Sequence, residues 1–133
     1  MHYLYHGSVV QGLVALEPRK RFTPGEDVAA ALIYATPLPG YAAAHAFPWS
    51  SDEGFDVAVE NERVTLLVPK GCEDRLLVPI SIYKLPADTF KLTEEEVTGQ
   101  TWHSTSSVPV IEETKYPSVR DALVALGVQL KFI

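Results

Sequence analysis

The second half of this chain is a series of short apolar runs with little helical sequence between them. "RVTLLVP" (63–69), "RLLVPISIYKL" (75–85), "FKLT" (90–93), "TWHS" (101–104), "VPVIEE" (108–113) and "VQLKFI" (128–133) each have strand length and strand composition. A single helical pattern, "YPSVRDALVALG" (116–127), falls among them. A doubly wound parallel sheet needs strands and helices in regular alternation, which these runs lack, so they point to an α+β fold. About six to eight strands and two to three helices are expected across a single domain spanning 1–133.

Local signals place the elements. "MHYLYHG" reads as a strand ending at Gly7, and residues 8–27 as mostly loop with one helical turn, because Gly12, Pro18, Pro24 and Gly25 interrupt them. "VAAALIYAT" (28–36) holds a buried strand near Leu32–Ala35, with a helical alternative left open by its alanines. Thr36 is expected to cap the next helix, with Pro37 at its first position and Pro48 as its stop. Leu38, Tyr41, Ala42 and His45 share one face of that helix. The run 49–62 reads as a polar loop or an excursion over a site. Residues 63–69 and 75–85 are expected to form a hairpin whose turn is "KGCED". Ser118 and Asp121 open the later helix in the manner of a capping box, and Gly127 ends it. Val128, Leu130 and Phe132 should share a face of the last strand.

Charge excludes some functions. Acidic residues outnumber basic ones 17 to 11, for a net charge of −6. A general nucleic-acid binder needs clustered Lys and Arg, and the only cluster is the short "PRKR" (18–21). The run Glu94–Glu96 is a solvated face, since consecutive side chains cannot converge as an acid pair. The single cysteine, Cys72, forbids an internal disulfide and fits a reducing, cytosolic setting. No run approaches the ~20 apolar residues of a membrane span, and the N-terminus lacks a signal-peptide pattern. His2, His6, His45 and His103 show no metal-ligand spacing, so no metal site is expected. There is no phosphate-binding glycine loop, and no nucleophile elbow.

Three ordered stretches remain: "LYHGS" (4–8), "IYATPLPGYAAAHAF" (33–47) and "TWHSTSSVPV" (101–110). Together they resemble the ADP-ribosyltransferase fold, in the branch of the poly(ADP-ribose) polymerases and the histidine-tyrosine-glutamate toxins. In that branch one strand ends in His-Gly-[Ser/Thr]. A second carries "YFA" or "YAT" and leads into a helix of small residues. A third carries a glutamate. The resemblance implies two small, mainly antiparallel sheets that split to form a cleft, with the helices on its flanks. The resemblance implies that NAD is the substrate and that its ADP-ribose passes to a protein or small-molecule acceptor, or to water. It implies that His6 bonds a ribose hydroxyl, that Gly7 offers its backbone to the nicotinamide carboxamide, and that Ser8 helps hold that amide. It further implies that Tyr34 packs on the nicotinamide ring, with Tyr41 or His45 as the second aromatic.

The third motif departs from the family, because Thr101 stands where the glutamate belongs, with Gln100 beside it. A neutral hydroxyl cannot stabilise an oxocarbenium-like sugar as a carboxylate does. Polymer elongation is therefore not expected. Mono-ADP-ribosyl transfer, NAD glycohydrolysis and binding without turnover stay open. Two other classes compete: an NAD-dependent RNA 2′-phosphotransferase relative, which the acidic charge disfavours, and a non-catalytic interaction module. In the plainest reading His6 caps a turn, Tyr34 is a core tyrosine and Trp102 anchors a sheet.

Overall fold

The computed structural model describes residues 2–18, 31–93 and 100–133. Most of "PRKR", the start of the 28–36 run and Glu94–Glu96 lie outside them. Among the described residues, strands β1 (Tyr3–Ser8), β2 (Ala15–Leu16) and β3 (Ile33–Ala35) precede helix α1 (Pro39–Ala44). Strands β4 (Asp56–Glu60), β5 (Arg63–Val68), β6 (Ile80–Pro86), β7 (Lys91–Leu92), β8 (Trp102–Ser104), β9 (Val108–Pro109) and β10 (Glu112–Tyr116) follow. Helix α2 (Val119–Ala125) and strand β11 (Gln129–Phe132) complete the chain. The fold is α+β, as expected, but its strands are spread over more sheets than two. Three sheets have three strands each, β1-β6-β10, β11-β5-β4 and β3-β8-β7, and β2 pairs with β9. All pairings are antiparallel except β11 on β5.

Strand β6 organises the molecule. Ile80, Ser81, Ile82, Tyr83 and Leu85 are all buried, which is why "PISIYKL" is nearly continuously apolar. Residues paired directly across antiparallel strands share a face. Ile80 and Ile82 therefore face one core with α1, α2 and β5, while Tyr83 and Leu85 face a second core with Leu4, Leu16, Ile33, Ala35 and Val108. Each fully buried large side chain contributes about 1.5–3 kcal/mol by leaving water.

The expected 63–69/75–85 hairpin does not form. Between β5 and β6 the chain makes a 3₁₀ turn, Glu73–Leu77, that buries Leu76, and the two strands join different sheets. The hairpin partner of β5 is β4, within the segment read as a loop. Its turn residues Asn61 and Glu62 have φ of 50° and 65°, the left-handed pair of a type I′ turn. The signal was missed because glutamate rarely occupies that position. Residues 49–55 add a second 3₁₀ turn, Ser51–Glu53. Residues 9–18 hold β2, and the rest of the 8–27 run lies outside the described residues.

Helix α1 starts later than expected. Leu38 is the N-cap and Pro39 opens the helix, while the Thr36 hydroxyl accepts from the Leu38 amide at 3.2 Å. Six residues cannot sustain a helix alone. Burial of Gly40 through Ala44 holds it against β1 and α2. Helix α2 begins as read: Ser118 is its N-cap and accepts from the Asp121 amide, and Gly127 follows the helix at φ 74°. Val128, just before β11, and Leu130 on it join the core, but Phe132 stays 41% exposed. No described helix is long and apolar enough to cross a membrane.

Candidate functional site

A backbone bridge joins two of the sheets. Tyr5 on β1 exchanges both backbone bonds with Thr36, just past β3, at 2.7 and 2.9 Å. Beyond that bridge the sheets part, and a cleft of about 300 Å³ opens. It is lined by His6 and Gly7 from β1, Tyr34 and Thr36 from the second sheet's edge, Tyr41, Ala42 and His45 from α1 and its C-cap, and Thr93 and Thr101.

Strand parity aims the backbone of β1. Even-numbered residues direct their N–H and C=O toward β6, as the bond from the Ala87 amide to the His2 carbonyl illustrates. Odd-numbered residues direct theirs to the opposite edge, as Tyr5 does toward Thr36. Gly7, two residues on, therefore presents its N–H and C=O to the edge where the sheets have separated.

Gly7 has a second, structural reason to be glycine. A Cβ there would collide with the Ala42 carbonyl oxygen and sit 2.7 Å from the Ala46 Cβ. The missing side chain lets α1 rest directly on β1, which also carries Tyr41 and His45 into the cleft.

His6 is half-buried, and its Nδ1 lies 2.6 Å from the Tyr34 carbonyl oxygen. A carbonyl only accepts, so Nδ1 carries the proton, and in the neutral ring Nε2 bears the lone pair. The bond ties the first motif to the second. Tyr34 is half-buried on β3, opposite His103 of β8. Tyr41 is buried, and its ring meets that of His45 edge-on at 4.5 Å. The exposed His45 ring in turn stacks on Trp49 at 5.4 Å, and the Trp49 indole N–H donates to the Ala44 carbonyl.

The structure thus brings His6, Gly7, Tyr34, Tyr41, His45 and Thr101 to one cleft. Ser8 is not among the lining residues; its hydroxyl accepts from the Val10 amide at 3.0 Å. Trp102 packs on the second core. Thr93 went unnoticed in the sequence. It reaches the cleft because its amide donates to the Thr101 carbonyl at 3.0 Å, extending the β7–β8 ladder. Only a known pairing of those two strands would have revealed it.

A carboxylate on β10 holds a separate network. Glu113 accepts from the Ser81 hydroxyl at 2.6 Å and from the Gly12 amide at 2.8 Å. These bonds, the Ser81 bond first, hold its carboxyl below the usual carboxylate range. Tyr83 donates to the Val10 carbonyl and accepts from the Leu13 amide, so the same face anchors loop 9–13. Burial raises the Tyr83 phenol. Among the described residues no three His, Cys, Asp or Glu side chains are grouped to hold a metal ion. Cys72 is partly buried at the start of the 3₁₀ turn 73–77.

Comparison with protein-family models, with curated proteins and with solved structures finds no match to this chain.

Proposed function

We propose that the cleft binds the nicotinamide-riboside end of NAD and that the chain is an ADP-ribosyltransferase-like protein. One observation carries this reading: His6 and Tyr34, 28 residues apart, meet at the mouth of a split between two sheets. Gly7, Tyr41, His45 and Thr101 line the same cleft, and Ser8 does not. A volume of about 300 Å³ suits a nicotinamide ring and its ribose, with the adenosine half lying outside.

Several lining groups have a task in this reading. The Gly7 N–H and C=O complement the two halves of a carboxamide, which has one acceptor and donors. Tyr34 and the Tyr41–His45 pair supply flat walls for the ring. Nε2 of His6 accepts from a ribose hydroxyl, with the Tyr34 carbonyl fixing the tautomer. Thr101 offers a hydroxyl to the sugar but no negative charge. Cleavage of the nicotinamide–ribose bond is therefore slow, and transfer stops at a single ADP-ribose.

The same Thr101 favours a second reading, a binding module whose chemistry has decayed. Two measurements decide between them. NAD should raise the melting temperature of the wild-type chain, and H6A should abolish the shift. T101E should raise nicotinamide release on the order of 10²-fold, the worth of one preorganised electrostatic group. A chain that NAD does not stabilise sinks both readings. One that NAD stabilises, with T101E inert, leaves the binding module.

A further inference from the structure

Where the β7–β8 ladder runs out at the cleft, it holds a hydroxyl–imidazole pair with no part in NAD binding as described above. Thr93 lines the cleft, and its Oγ1 lies 2.8 Å from Nδ1 of His103, which is half-buried on β8. The ladder bond to the Thr101 carbonyl sets Thr93 beside Thr101, the residue at the sugar's expected position. A hydroxyl held within hydrogen-bond reach of an imidazole nitrogen is how a weak oxygen nucleophile is activated.

We propose that Thr93 is an ADP-ribose acceptor and that the chain modifies itself there, with His103 as the base. The proposal rests on the NAD reading above. With the ring proton on Nε2, His103 Nδ1 accepts from the Thr93 hydroxyl. Thr93 Oγ1 bonds to the ribose C1′. The C1′–N bond to nicotinamide breaks, and its electron pair returns to the pyridinium nitrogen, so nicotinamide leaves neutral. The hydroxyl proton passes to His103 Nδ1, and the imidazolium then releases a proton to water. NAD and threonine become ADP-ribosyl-threonine, nicotinamide and a proton, with no other reactant. A nucleophile fixed in the wall has the advantage of an intramolecular reaction over water, which must be captured from solution.

The test is intact-mass and fragment mass spectrometry of the full chain after incubation with NAD, with the NAD-induced thermal shift read in parallel. The expected result is one ADP-ribose adduct, mapped to Thr93. T93V loses the adduct and T93S retains it. H103Q slows its formation at least tenfold, whereas T105V, an exposed threonine outside the cleft, leaves it unchanged. A thermal shift and nicotinamide release without an adduct, or an adduct on another residue, overturns the acceptor assignment while leaving the NAD reading standing. No thermal shift and no nicotinamide overturn both.

Discussion

Two residues hold neighbouring segments in place. Gly7 sits where α1 touches β1, so G7A forces the helix outward. Overpacking of this kind costs about 1–3 kcal/mol, and urea unfolding should show that loss for G7A. Glu113 is the other. Its carboxyl is depressed by the Ser81 hydroxyl and the Gly12 amide, so its contribution to stability is present above the unfolded-state pKa. That contribution is lost as pH falls through the lower folded-state value. Melting curves should place E113Q below the wild type at neutral pH, and the two should converge in acid. A gap of constant size from neutral pH into acid would mean that the carboxylate charge is not what holds loop 9–13. At this scale the sequence was informative about identity and poor about cause. His6 and Tyr34 were legible as a motif, but the contact of Gly7 with Ala42 and Ala46 depends on a helix docking that no local pattern encodes.

Elements with strong local signals formed where the sequence placed them, and those that depend on partners did not. Helix α2 has a side-chain cap and a terminating glycine, both readable from neighbours in the chain. S118A should cost about 1 kcal/mol, measured by denaturant unfolding, because one amide loses its capping partner. By contrast, "KGCED" has the composition of a hairpin turn, yet β5 and β6 separate because β6 is claimed on both edges by β1 and β10. The true turn, at Asn61–Glu62, was hidden by a glutamate in left-handed backbone. Replacing it removes that penalty: E62G should stabilise the chain by up to about 1 kcal/mol in the same assay. A destabilised E62G would mean the turn is held by the Glu62 side chain. Strand β7, two residues long, carries Thr93 toward the cleft only through its pairing with β8, which explains why that residue was invisible beforehand.

For the molecule as a whole, the cleft is a product of topology. A four-sheet arrangement in which β1 and β3 meet at a single bridge leaves a gap beside Gly7, and the short helix α1 closes one side of it. The α+β class was readable from the lack of strand–helix alternation. The number of sheets was not, since it depends on which strands pair. The central claim is that this gap is shaped for nicotinamide riboside. Titration calorimetry of the wild-type chain with NAD, repeated in saturating nicotinamide, tests it most directly. The account predicts one NAD site per chain, competition by nicotinamide, and at least a tenfold weaker affinity for H6A. No heat of binding at millimolar NAD, or binding that nicotinamide and H6A leave unchanged, would contradict it.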